Sequence, residues 1–193
     1  MDRMDEVILT AAADGDARSL AFSAVYPGQA AFVWATLQHM GVRPADLEDV
    51  FQEVFVVVHR RLSTYDGSCL VTTWLYGIAL RLVANYRRRA WRRLEKLEEA
   101  PHDAQVRSHE ASPEEALADR QAREQLGAIL DEMDPEKRAV FVMFEIEQMP
   151  CDAIAAVVGA PVGTVHSRLH SARAQFEKLV ARATARAAQG ARR

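Results

Sequence analysis

Apolar residues recur along this chain at spacings of three and four, the period of α-helices that each turn one face inward. Phe32, Val33, Leu37 and Met40 form the first stripe, which ends at Gly41. Pro44 then precedes a helix expected from about Asp46 to Leu62, with Leu47, Val50, Val54 and Val57 inward. Asp66-Gly67 marks a turn in the loop 63–68, and a third helix from Thr72 or Thr73 to Glu95 buries Leu75, Ile78, Ala79, Leu82, Val83 and Tyr86. Trp74, beside that stripe, is read as a core residue in preference to a base-stacking one. Further on, Asp134-Pro135-Glu136 is a helix start.

Near the C-terminus the pattern shortens and then restarts. Asp152 is placed to cap a short helix whose inward face is Ile154, Ala155 and Val158, and Gly159 is placed to end it in a left-handed conformation. After Pro161 the apolar positions run Val165, Leu169, Ala172, Phe176 and Leu179, all on one face, with His166, Ser167, His170 and Arg173 on the opposite and flanking positions. Two helices joined by a tight glycine-containing turn, with small Ala155 at their crossing, make a helix-turn-helix whose second helix offers its N-terminal side chains to a DNA major groove. An ordinary helical hairpin with a solvated face has the same spacing, so this pattern alone leaves both readings open.

The polar faces elsewhere are also grouped. On the second helix Asp49, Gln52 and Glu53 make one patch, suited to a protein partner or simply solvated. On the third, Arg81, Asn85, Arg88 and Arg92 form a row that could follow a phosphate backbone while the amide reads a base, or could equally be a basic face in water.

Composition narrows the class. With 193 residues, 49% hydrophobic and 26% charged, the chain is expected to be soluble and folded, as one domain or two small ones. No apolar run approaches the length of a membrane span and the first residues are acidic, so a cytoplasmic location is expected. Cys69 and Cys151 lack any CxxC or Cys/His ligand spacing, which points to incidental thiols and to no metal site or cofactor. The net charge of −3 hides an uneven distribution: residues 81–96 are strongly basic, and residues 97–118 carry a net of five negative charges among Pro101, Ser108, Ser112 and Pro113. The expected architecture is all-α, two small helical domains (1–96 and 119–182) joined by an acidic flexible linker (97–118), with a frayed or disordered tail at 183–193.

Three motifs in order, Asp46-Leu47-Glu48-Asp49-Val50-Phe51-Gln52-Glu53-Val54-Phe55, Thr73-Trp74-Leu75-Tyr76-Gly77-Ile78-Ala79 and Gly163-Thr164-Val165-His166-Ser167-Arg168-Leu169, resemble bacterial RNA polymerase sigma factors of the extracytoplasmic-function group. The resemblance spans about residues 19 to 182, with the linker matched only in character. It implies a promoter-recognition subunit without catalysis of its own, whose partners are core RNA polymerase, promoter DNA and, commonly, an anti-sigma factor. It assigns Asp49, Gln52 and Glu53 to the polymerase clamp. It assigns Tyr65, Ser68, Cys69, Leu70, Thr72 and Thr73 to capture of a flipped minus-ten base, with Arg81, Asn85 and Arg88 on the minus-ten strand. Thr164, His166, Ser167, Arg168, His170 and Arg173 would meet the minus-thirty-five element, the histidines at bases and the arginines at phosphates; Arg168, close to the buried stripe, could instead pair within its domain. The acidic linker would thread toward the polymerase active centre.

Three departures from the family pattern bear on these expectations. Tyr26-Pro27-Gly28 is expected to interrupt a helix that the family runs continuously. His166 and His170 stand where relatives often carry Arg, Lys or an aromatic residue, which alters the promoter read, and Met149-Pro150-Cys151 replaces a glycine-serine turn. An autonomous helix-turn-helix regulator is the alternative, disfavoured because residues 134–182 are formally neutral and gain little from counterion release. An enzyme is more distant, since the chain has no P-loop, GxGxxG or HExxH.

Overall fold

The structure, a computed structural model, describes residues 15–94 and 113–190. They form seven α-helices and no strand: α1 Gly15–His39, α2 Pro44–Arg61, α3 Val71–Leu94, α4 Pro113–Asp131, α5 Pro135–Phe141, α6 Cys151–Val158 and α7 Val162–Gly190. The chain divides into two compact units, built essentially on α1 to α3 and on α4 to α7.

In the first unit the inward stripes close on one another. Val25, Val33 and Leu37 of α1, Val50, Val54 and Val58 of α2, and Leu75, Tyr76 and Val83 of α3 are all buried. Each fully buried apolar side chain of this kind contributes about 1.5–3 kcal/mol. Val57, expected inward, is only half-buried, and Phe55 and Val58 take up the buried side of α2 instead. Pro44 occupies the first turn of α2, where a missing N–H leaves no intrahelical bond unmade. A short 3-10 turn, Leu62–Thr64, leads into the loop before α3.

Tyr26-Pro27-Gly28 does not interrupt α1. Pro27 lies inside the helix with Tyr26 and Gly28, all three on its exposed side, while Val25 and Val33 bury their side chains to either end. An interior proline costs about 3 kcal/mol, and burial of the flanking apolar residues offsets it.

In the second unit, Asp134 caps α5: its Oδ1 accepts from the N–H of Glu136 (3.1 Å) and of Lys137 (3.2 Å). A π-type turn, Val142–Ile146, follows α5, and Phe141 stacks on Phe176 of α7 with centroids 4.6 Å apart. Asp152 does not cap α6. The helix begins at Cys151, two residues earlier than a cap at Asp152 would place it, so the cap position falls on Pro150, and the Asp152 carboxylate sits within the first turn at the positive end of the helix dipole.

Two expected boundaries move. The linker assigned to 97–118 loses its last six residues to α4, which starts at Pro113, a favoured first residue; the rest of the linker lies outside the described residues. The tail assigned to 183–193 continues α7 as far as Gly190, because its alanine-rich sequence favours helix and Arg182 and Arg186 both reach Glu132, in the turn after α4 (3.7 and 3.8 Å); residues 191–193 lie outside the described ones.

Candidate nucleic-acid and polymerase interface

On α2, Asp49 and Gln52 are exposed and Glu53 is half-buried, all on one side of the helix. Beside Gln52 runs an open groove of about 420 Å³ between α1 and α2, lined by Phe22, Tyr26, Phe51, Phe55, Val56 and their neighbours. Its aromatic rings meet edge to face, Tyr26 with Phe55 at 4.7 Å and Phe51 with Phe55 at 4.9 Å, and Trp34 stands against Phe51 at 5.4 Å. Sequence reasoning isolated the polar patch and missed this apolar companion. Phe51 and Phe55, one turn apart on α2, were the available signal.

The N-terminal end of α2 is tied to α3 by three side chains. Tyr86 donates its hydroxyl hydrogen to Asp46 Oδ2 (2.6 Å), and Arg43 donates to both Asp46 (2.8 Å) and the Tyr86 oxygen (3.1 Å). Burial, then the Asp46 carboxylate, pushes the Tyr86 phenol above its ordinary pKa, so it stays protonated and a donor.

The loop before α3 divides into two kinds of residue. Ser68 is exposed and Leu70 is 56% exposed, with Cys69 and Thr72 half-buried. Tyr65 and Thr73, expected to meet DNA, are instead buried. Tyr65 donates its hydroxyl to the Cys69 carbonyl (2.7 Å) and sets its ring 5.4 Å from half-buried Trp74, so it anchors the loop from beneath. Thr73 is buried within the first turn of α3, although helical spacing sets it away from the face shared by Val71 and Leu75. At the turn, the Ser68 N–H donates to Asp66 Oδ1 (3.0 Å), and bonds from Ser68 hold the Asp66 carboxyl below its ordinary pKa.

Along α3, Arg81, Arg88 and Arg92 are exposed and Asn85 is half-buried. Arg88 donates to Asn85 Oδ1, so the carbonyl end of the Asn85 amide is engaged within α3.

The helix-turn-helix is formed by α6, a turn and α7. Gly159 takes the left-handed conformation that ends α6 (φ 65°, ψ 39°), and the Ala160 N–H returns to the Ala155 carbonyl (3.1 Å). Val165, Leu169, Ala172 and Leu179 are buried and Phe176 half-buried, while His166, Ser167 and His170 are exposed and Thr164 half-buried. Ser167 donates its hydroxyl to the Thr164 carbonyl (3.0 Å), so its oxygen is left as an acceptor; His166 Nδ1 lies 3.9 Å from Cys151 Sγ.

Both arginines of this face pair within their own unit, which for Arg168 is the alternative its place beside the buried stripe left open. Arg168 pairs with Glu136 (2.8 Å), and Arg173 pairs with Glu145 (2.6 Å) while its guanidinium lies over the Phe144 ring at 5.2 Å. Both carboxylates come from α5 and the π-turn behind it, which pack against α7 and so place acids beside its cations.

Residues 29–93 match the model of sigma-70 region 2, and residues 123–176 the model of sigma-70 region 4. The chain belongs to the sigma-70 family, in its extracytoplasmic-function (ECF) group. This sigma-70 protein is 35% identical over 147 residues to the ECF RNA polymerase sigma factor SigE of Mycolicibacterium smegmatis, an alignment covering 76% of this chain and 56% of that protein. It therefore spans little more than half the length of that relative. It is 28% identical over 152 residues to the ECF RNA polymerase sigma-E factor of Escherichia coli K12, covering 76% of this chain and 80% of the other. Its fold is that of CnrH, solved in complex with the cytosolic domain of CnrY (TM-score 0.65, 22% identity, 93% of this chain and 97% of that one). It is also that of the sigma factor RpoE of Bartonella quintana, solved with the anti-sigma factor NepR (TM-score 0.66, 15% identity, 82% and 96%). Among the described residues no helix is long and apolar enough to cross a membrane, and no group of three or more His, Cys, Asp or Glu side chains is placed to hold a metal ion.

Proposed function

We propose that this sigma-70 protein is a promoter-recognition subunit of core RNA polymerase, acting in the cytoplasm and directing initiation without catalysis of its own. The observation that carries this reading is the pairing of Arg168 with Glu136 and of Arg173 with Glu145. A recognition helix whose arginines are neutralised from within gains little from counterion release, so it needs another body to hold it on DNA. Polymerase supplies that body through Asp49, Gln52 and Glu53, with the aromatic groove beside them as the apolar part of the same contact.

On DNA, Ser68, Cys69, Leu70 and Thr72 form the rim that receives an extruded minus-ten base, with Tyr65 and Thr73 supporting it from below. Unstacking a base costs a few kcal/mol, which a pocket and phosphate contacts from Arg81, Asn85 and Arg88 offset without any covalent chemistry. Thr164, His166, Ser167 and His170 face the minus-thirty-five bases. An anti-sigma factor is the expected antagonist, a reading supported by the NepR complex of the structurally similar RpoE.

Reconstitution with core polymerase and sequencing of the transcript starts tests the whole reading. Glu53→Lys tests the docking site: a like-charge contact at an interface costs several kcal/mol, so core binding falls at unchanged helicity. Specific, polymerase-independent binding to a symmetric operator would favour the autonomous regulator instead.

A further inference from the structure

Arg89, outside every assignment made above, reaches across from α3 to α2 and donates from Nη2 to both carboxylate oxygens of Glu53, at 3.1 and 3.3 Å. Its position on α3 matters. It stands one turn, about 6 Å along the axis, beyond Asn85 and flanks the row of Arg81, Asn85, Arg88 and Arg92 on one side. Glu53 belongs to the other surface, the patch with Asp49 and Gln52. One ion pair thus joins a group of the docking face to a cation at the flank of the DNA-facing row.

We propose that Arg89 is a further DNA-phosphate contact held in reserve by Glu53 and released when Glu53 is taken by polymerase. This rests on the docking role of Glu53. The pair is open to solvent, with side chains 51% and 41% exposed, so water and a competing cation reach it without any core residue moving. Exposed pairs of this kind are worth at most about fivefold in an equilibrium, an amount that a cationic protein surface readily supplants. Linkage makes the effect reciprocal: engagement of Glu53 raises affinity for the DNA strand, and engagement of Arg89 raises affinity for polymerase by the same factor. In the free protein this cation is already neutralised, so it adds little to DNA affinity until Glu53 is engaged.

Because a phosphate contact is independent of sequence, a short mixed-sequence single-stranded DNA serves as probe. The full chain is compared as wild type, Glu53→Gln, Arg89→Ala and the double variant, with thermal melting of each to establish that it is folded. In the absence of polymerase, Glu53→Gln should tighten DNA binding about two- to fivefold and steepen its salt dependence by about one counterion; Arg89→Ala should abolish that gain in the double variant. With core polymerase, Arg89→Ala should tighten binding about two- to fivefold by uncovering Glu53. A DNA gain that persists without Arg89 overturns its role as the released cation. Core binding that is unchanged or weaker in Arg89→Ala overturns the exchange. If Glu53→Gln leaves core affinity untouched, the docking assignment itself has failed, and the polymerase-free measurement still decides whether Arg89 contacts DNA.

Discussion

The loop at 65–70 and the start of α7 at 162–173 both carry residues assigned to DNA, but they are held in shape by opposite means. The loop has no repeating backbone bonds of its own; Tyr65 pins it from the core side through the Cys69 carbonyl, and Asp66 pins it through the Ser68 N–H. The recognition helix is held by its own ladder and by Val165, Leu169 and Ala172, so its outward residues carry none of that burden. Substitution of the loop's inward anchor Tyr65 therefore acts first on stability, and substitution on the outer face of α7 acts first on recognition.

Tyr65→Ala puts this contrast to its hardest test. Removing a fully enclosed aromatic side chain costs about 3–5 kcal/mol, so the first unit should lose most of its stability in a denaturant titration. Leu70→Ala, on the exposed rim, should leave the midpoint within about 0.5 kcal/mol. Similar midpoints for the two variants would show that Tyr65 is not the loop's anchor.

The next effect falls on the recognition helix. His166→Ala and His170→Ala should change the preference among minus-thirty-five sequences by about 1–3 kcal/mol at the affected position, with the thermal midpoint unmoved. Uniform weakening across a promoter panel would instead place both histidines on a phosphate-facing or merely solvated surface.

Gly159 probes the turn between the two helices. Its φ of +65° lies in the left-handed region, and a Cβ there would meet nothing within 4 Å, so the cost of Gly159→Ala is backbone strain alone, about 1–2 kcal/mol. Thermal melting checks the figure, and an unchanged midpoint would mean the turn relaxes freely.

The same contrast explains what could be read before the structure. Helical period placed Leu75, Ile78, Ala79, Leu82, Val83 and Tyr86 inward, and Val165, Leu169 and Ala172 likewise, since a face is fixed by spacing alone. In the loop no period applies, and Tyr65 turned out to face inward; Thr73, in the first turn of α3, is buried without belonging to the stripe of Leu75, Ile78 and Leu82. Nor does spacing reveal what stands opposite a face. Glu53 meets Arg89 and Glu145 meets Arg173 across 36 and 28 residues of sequence, pairs that exist only once the helices pack. Pro27 was misjudged for a related reason: local propensity counts against proline in a helix, but the burial of Val25 and Val33 around it is a tertiary effect.

The smallest expected effect concerns Arg173, where the two ways of reading a helical cation diverge. A phosphate anchor, once removed, lowers affinity for every promoter and flattens the salt dependence by about one counterion. Arg173 is instead occupied by Glu145 at 2.6 Å and by the Phe144 face, with the pair partly open to water. Arg173→Ala should therefore cost at most about 1 kcal/mol of stability and leave the salt slope of promoter binding as it was. Glu145→Gln should do the reverse, freeing the guanidinium to reach DNA and steepening the slope by about one. Measured together at several salt concentrations, the two variants decide whether the carboxylate or the phosphate holds Arg173: a flattened slope for Arg173→Ala, with no change for Glu145→Gln, would return this residue to the DNA backbone.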